Sequence, residues 1–157
     1  MIARRMCSVR YVALVLSAVA LIITASSLRA SAFTFTTIDV PGATATEAFG
    51  INAAGDIVGF FTNASGAHGF LLSRGVFTTI DVPGATATVA FGVNAAGDIV
   101  GFFTNASGAH GFLLSRGVFT TIDVPGATAT EAVGINAAGD IVGAFADASG
   151  IHGFLAE

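Results

Sequence analysis

Short apolar runs broken by turn signals recur along most of this chain. Ala48 to Asn52, Asp56 to Thr62, Ala67 to Ser73 and Val76 to Val82 read as strands, separated by Ala53-Ala54-Gly55, Asn63-Ala64-Ser65-Gly66 and Arg74-Gly75. The turns are short enough for an antiparallel meander, with Gly wherever the backbone needs positive φ. Alternation puts Val58 and Phe60 on one side and Ile57 and Phe61 on the other, while Phe70 and Leu72 oppose Leu71. Both faces are apolar, so each sheet needs neighbours on both sides.

The pattern is a repeat. Phe35-Thr36-Thr37-Ile38-Asp39-Val40-Pro41-Gly42 returns at Phe77 and at Phe119, a period of 42. Residues 35–76 and 77–118 are identical at 40 of 42 positions, differing at Glu47/Val89 and Ile51/Val93. The third copy, 119–157, matches the first at 32 of its 39 positions and differs at Val133, Ala144, Ala146, Asp147, Ile151, Ala156 and Glu157. The expected fold is therefore all-β: three 42-residue, four-stranded antiparallel repeats resembling the blades of a β-propeller. Phe33 to Val40 reads as a fourth strand without a preceding three, and the third copy reads as three strands without a fourth. Blades at 48–82, 90–124 and a composite of 132–157 with 33–40 then follow, the N-terminal strand completing the last. Propellers typically have about four to eight blades. Two chains forming a six-bladed ring, or one chain forming a strained or open arc, would accommodate three. A β-trefoil or β-prism is the alternative architecture.

Gly50-Ile51-Asn52-Ala53-Ala54-Gly55-Asp56-Ile57-Val58-Gly59, His68-Gly69-Phe70-Leu71 and Phe77-Thr78-Thr79-Ile80-Asp81-Val82-Pro83-Gly84 resemble the bacterial HAF family of probable extracellular repeats. The resemblance covers nearly all of 33–157 and implies an exported bacterial protein with propeller-like repeats and no established activity. The chain departs from the family's His-Ala-Phe motif, reading His-Gly-Phe at His68, His110 and His152.

Residues 1–32 carry a different pattern. Arg4, Arg5 and Arg10 precede the apolar run Tyr11 to Thr24, and Ala30-Ser31-Ala32 provides small residues for cleavage after Ala32. This is the arrangement of a secretory signal peptide, with a retained N-terminal anchor as the alternative. The expected location is secreted, periplasmic or at the cell surface. Without the leader, 33–157 has ten acidic residues against Arg74 and Arg116, a formal charge of 2 − 10 = −8. That balance argues against nucleic acid and anionic membranes as partners. The only cysteine, Cys7, lies in the leader, so neither disulfides nor thiolate metal sites are expected to hold the fold.

Candidate chemistry is sparse and triplicated. His68, His110 and His152 are the only histidines, and three neutral imidazoles with an open fourth position make a sound zinc arrangement. The favoured expectation is that each begins a third strand and bonds a local backbone group, so no metal site and no cofactor are assigned. Asp56, Asp98 and Asp140, four positions after Asn52, Asn94 and Asn136, offer too few oxygens for calcium and read as turn caps. Asp39, Asp81 and Asp123 are expected to satisfy backbone donors at strand ends. No convergence of unlike groups and no nucleophile-elbow motif is legible, so no catalytic residue is assigned and no enzymatic activity is expected. Glu47, Val89 and Glu131 vary between copies and form the candidate binding rim, with Ala43–Glu47, Ala85–Val89 and Ala127–Glu131 as its loops. The expected role is a non-enzymatic binding or scaffold module, with a structural self-assembling surface protein as the alternative. Expected partners are the chain itself, as a homodimer or higher oligomer, and an extracellular glycan or protein.

Overall fold

Eleven strands form a single open mixed sheet in the computed structural model, which describes residues 33–157. The expected signal peptide, 1–32, lies outside the described residues. The strands belong to the unit Thr36–Glu157. They are β1 (Ala45–Ile51), β2 (Ile57–Asn63), β3 (Gly66–Ser73), β4 (Val76–Ile80), β5 (Ala87–Val93), β6 (Ile99–Asn105), β7 (Gly108–Ser115), β8 (Val118–Ile122), β9 (Ala129–Ile135), β10 (Ile141–Asp147) and β11 (Gly150–Ala156). The all-β expectation holds.

Within a repeat the strands pair antiparallel in chain order. Each hairpin has the turn chemistry its sequence dictates. Arg74 at φ 51° and Gly75 at φ 80° put two positive φ values side by side between β3 and β4, as a two-residue primed turn requires. Successive repeats are joined by single parallel pairs, Ala67↔Ala87 and Ala109↔Ala129. Their main adhesion is apolar. Val58 of β2, Ile80 of β4 and Val82 just after it cluster with Ala90 and Val93 of β5, Ile99 and Phe103 of β6 and Phe112 of β7. The second cluster joins Val100 to Ala132 and Ile141. Both faces of β2 contribute, because Val58 and Phe61 are buried and Ile57 and Phe60 half-buried. Two-sided burial was the property read from the strand pattern.

Close packing explains one invariant glycine. A Cβ on Gly101 would run into the backbone carbonyl of Val89 and come within 2.8 Å of the Phe112 ring, so β5, β6 and β7 approach as they do only because Gly101 has no side chain. At this point β5 also bulges, between Ala90 and Gly92.

The ends differ from expectation. Residues 33–40 are in no strand, and they do not complete the last repeat. A fourth strand needs a third strand beside it, and β11 lies at the far end of the sheet path from β1. Ile38 and Val40 lie instead beside β1. Val40 N–H donates to Thr46 Oγ1 at 3.1 Å, just as Val82 N–H donates to Thr88 Oγ1 at 3.1 Å between the first two repeats. The sheet is an open path, without the closure that a trefoil, a prism or a completed ring requires.

Candidate functional site

A cleft opens where β3 and β4 of one repeat meet the connection into the next. Between the first and second repeats its volume is 260 Å³, and Ser65, His68, Asp81 and Thr86 are among its walls. Between the second and third the cleft is 430 Å³, with Ser107, His110, Asp123 and Thr128 in the corresponding places. His68 and His110 are near the start of the third strand, where the sequence placed them. The turn before β3 presents Ser65, and the chain leaving β4 presents Asp81.

These groups form a hydrogen-bonded line. His68 Nδ1 lies 2.9 Å and 3.1 Å from the two carboxylate oxygens of Asp81, and Nε2 lies 2.8 Å from Ser65 Oγ. Ser107, His110 and Asp123 repeat it, with Nδ1 3.0 Å from both oxygens and Nε2 2.8 Å from Oγ. A carboxylate only accepts, so Nδ1 carries hydrogen and donates to it. The order of groups is that of a Ser-His-Asp relay, which needs the hydroxyl proton passed to Nε2. Here the one hydroxyl hydrogen has two acceptors within reach, Nε2 and Asn63 Oδ1, the latter 2.6 Å from Ser65 Oγ and fixed in place by Ser65 N–H at 2.8 Å. The line therefore works as a clamp that ties the turn before β3 to the end of β4. The His68 ring packs against that of Phe61, with centroids 5.3 Å apart and planes tilted by 31°.

This corrects two expectations. His68 and His110 each bond an aspartate and a serine rather than backbone groups, and Asp81 and Asp123 serve these histidines rather than strand-end donors. The sequence carried the signal in the invariant 13-residue spacing of His68 and Asp81, which becomes a contact once β3 and β4 pair in register.

The third copy is incomplete. His152 Nε2 lies 2.9 Å from Ser149 Oγ and 3.4 Å from Asp147 Oδ1, and no hydrogen bond to its Nδ1 is formed among the described residues. Its side chain is 43% exposed against 20% for His68 and His110. Conversely Asp39, the counterpart of Asp81, lines an open 430 Å³ groove with Val40–Thr46 and has no histidine opposite it. His68, His110 and His152 are not brought together, and among the described residues no group of three or more His, Cys, Asp or Glu side chains has metal-holding geometry.

A second polar motif lies at the opposite turn. Asn52 Oδ1 accepts from Ala54 N–H and Asp56 N–H, both at 3.0 Å, and Asn52 Nδ2 donates to Asp56 Oδ2 at 2.9 Å. This is the turn-capping role expected of Asp56, Asp98 and Asp140. The motif also crosses repeats, because Asn52 Nδ2 donates to the Asn94 carbonyl at 3.1 Å and Asn94 Nδ2 to the Asn136 carbonyl at 3.3 Å. Hydrogen bonds first from Ser115 Oγ and then from Asn94, with a smaller contribution from the Arg116 charge, hold the Asp98 carboxyl below its usual range. Ser73, Asn52 and Arg74 do the same to Asp56. Asp147 is lowered chiefly by the hydroxyl and backbone of Ser149.

The candidate rim is not one surface. Glu47, Val89 and Glu131 lie within β1, β5 and β9, because these strands begin at Ala45, Ala87 and Ala129, earlier than the alternation indicated. Pairing of Ala45 with Thr62 and of Glu47 with Phe60 draws the expected loop into the ladder. Glu47 is exposed, Glu131 half-buried, and Val89 only 8% exposed. No protein-family model, curated protein or solved structure matches this chain.

Proposed function

We propose that this chain is an exported, non-enzymatic β-repeat protein of the HAF type, acting as a binding or scaffold module at the cell surface or outside the cell, with its repeats serving as propeller-like blades. The observation that carries this reading is the same exposed Ser-His-Asp clamp beside the same cleft in consecutive repeats. A catalytic serine in such a line must pass its proton to the imidazole, whereas these hydroxyls also have Asn63 and Asn105 to serve, and a copied module offers one modest contact several times over. The acid-rich, lysine-free composition of 33–157 suits a neutral or basic extracellular ligand better than a polyanion.

The test is location followed by chemistry. Expressed as the full chain in a bacterium, the protein is expected outside the cytoplasm with Phe33 as its first residue, read by intact mass. An unprocessed chain in the cytoplasm overturns export. A panel of ester and peptide substrates is expected to show no turnover. Turnover that Ser107→Ala abolishes overturns the non-enzymatic assignment. The alternative, a self-assembling surface protein, is favoured by one feature, the apolar outer side of β11, where Ile151 is 81% and Leu155 60% exposed.

A further inference from the structure

The two ends of the sheet are matching halves of the joint that the molecule already makes twice internally. The geometry points to a head-to-tail interface between copies, in which the edge of β11 left unpaired among the described residues takes residues 36–38 of another chain, as β3 takes β4, pinned by His152 against Asp39. This rests on the scaffold reading above and gives it a specific partner, a second copy of the same chain.

The internal ladders set the register. Between β3 and β4, Gly69 pairs with Ile80, Phe70 with Thr79 and Leu71 with Thr78. Between β7 and β8, Gly111, Phe112 and Leu113 pair with Ile122, Thr121 and Thr120. The same offset pairs Gly153 with Ile38, Phe154 with Thr37 and Leu155 with Thr36. Residues 36–40 are Thr-Thr-Ile-Asp-Val, the sequence of 78–82 and 120–124, so the incoming segment is chemically the same as the strand that β3 and β7 already hold.

Three further features agree independently. First, the clamp is split: His152 has its serine and no aspartate on Nδ1, while Asp39 faces an open groove with no histidine. The register that pairs Gly153 with Ile38 brings them together as His68 meets Asp81. Second, the Asn ladder stops at the third repeat, because Asn136 Nδ2 donates to Asp140 at 2.7 Å and, among the described residues, to no carbonyl beyond it. The Asn52 carbonyl of the next copy is the corresponding acceptor. Third, the apolar surfaces correspond. Ile51 is 67% exposed where its counterpart Val93 is 8% exposed, and Val142 is 50% exposed where Val58 and Val100 are fully buried. The Val40–Thr46 hydrogen bond holds Val40 against β1 as the Val82–Thr88 bond holds Val82 against β5, so residues 36–38 leave β1 from the place where 78–80 leave β5.

One substitution separates assembly from folding. A Cβ on Gly69 would lie 3.0 Å from the Ile80 carbonyl oxygen, and one on Gly111 2.8 Å from that of Ile122, whereas Gly153 has only the Gly143 carbonyl at 3.8 Å. Gly153→Ala therefore leaves a single chain undisturbed and obstructs the Ile38 carbonyl of a partner. His152→Ala and Asp39→Ala remove one charge-assisted hydrogen bond each and are expected to weaken association about threefold to tenfold.

The decisive experiment uses the full chain with Cys7→Ser, so that an introduced thiol is the only one. Thr36→Cys and Leu155→Cys chains are prepared separately and mixed under mild oxidation. Directly opposed antiparallel residues have Cα atoms about 4.5–5.5 Å apart, within the range a disulfide spans. The expected result is a disulfide-linked heterodimer from this mixture and none from Thr36→Cys with the off-register His152→Cys. Light scattering of the parent is expected to give a dimer, from closure of both joints, or a longer head-to-tail series, and Gly153→Ala is expected to give single chains that unfold at the same temperature as the parent diluted until it dissociates. A parent of single-chain mass, no disulfide-linked heterodimer from the Thr36→Cys and Leu155→Cys mixture, or an assembly untouched by Gly153→Ala overturns the joint. Export and leader removal are read separately, so a processed but solitary chain fails the joint alone, and an assembling but unprocessed chain fails the export reading alone.

Discussion

The second and third repeats are close in sequence and unlike in burial. Phe112 is fully buried and meets Phe119 edge-on at 5.7 Å, whereas Phe154, its counterpart, is half-buried. Val100 is fully buried and Val142 half exposed. Ala109 and Gly111 are half-buried and buried, while Ile151 and Gly153 are exposed. Identical residues at Val100/Val142 and Phe112/Phe154 rule out composition as the cause. The difference lies in their neighbours, since a two-faced apolar strand is core only when a further strand or repeat covers each face. Stability in this molecule belongs to junctions as much as to repeats.

Substitutions made in pairs, one in each repeat, measure that difference. The largest expected contrast is at the buried ring. Phe112→Ala should destabilise by about 3–5 kcal/mol, the cost of emptying a filled aromatic site, and Phe154→Ala by about 1–2 kcal/mol at dilution, because part of that ring already faces solvent. Urea unfolding followed by far-UV circular dichroism checks it, as 33–157 has neither Trp nor Tyr. Equal losses would break the comparison. A loss for Phe154→Ala that grows with protein concentration would sharpen it, because a docked partner covers the ring.

Next in size is the aliphatic pair. Val100→Ala is expected to cost about 2 kcal/mol and Val142→Ala less than about 1 kcal/mol, in proportion to the apolar area each removes from water. Then comes the glycine pair. Gly111→Ala forces the β7–β8 ladder apart near the Ile122 carbonyl and is expected to cost about 1–2 kcal/mol after the gain from restricting the unfolded chain. Gly153→Ala meets no such obstacle and is expected to be neutral or slightly stabilising in the isolated chain. A thermal midpoint lowered equally by both would show that β11 is already covered.

Much of the fold was legible because the period, the turn chemistry and the two-sided apolar strands all point to the same meander. Arg74-Gly75 and Asn63-Ala64-Ser65-Gly66 mark real turns, and the Asn52–Asp56 cap forms as the motif indicates. The site was less legible. The His68–Asp81 contact depends on the register of β3 against β4, which a one-residue slip would abolish and which spacing alone does not fix. The rim at Glu47, Val89 and Glu131 failed because pairing extends β1, β5 and β9 toward their starts, a tertiary effect that alternation does not report. The third copy's changes at Val133 and Ala144 became meaningful only in space. Their counterparts Phe49 and Phe60 stack at 5.7 Å, Phe91 and Phe102 at 5.6 Å, and Phe49 meets Phe91 at 5.2 Å, so both rings of one layer are missing together.

The smallest contrast concerns acid. Ser115 Oγ–H donates to Asp98 Oδ1 at 2.6 Å, while Glu157 stands where the third repeat would have that serine beside Asp140. A carboxyl whose folded pKa lies below its unfolded value binds fewer protons when folded. Its contribution is therefore present above about pH 4 and disappears as the pH falls through the depressed folded value. Ser115→Ala removes the leading cause of the Asp98 depression, so it should lower stability by less than about 1 kcal/mol at pH 7, because solvent screens a carboxylate that is only half-buried, and flatten the loss of stability between pH 4 and lower pH. Urea midpoints of parent and variant are expected to converge in that window. A constant offset down to the lowest pH at which the chain stays folded would mean that the serine acts through packing rather than through the charge of Asp98, and the capped turn would then be equivalent in all three repeats.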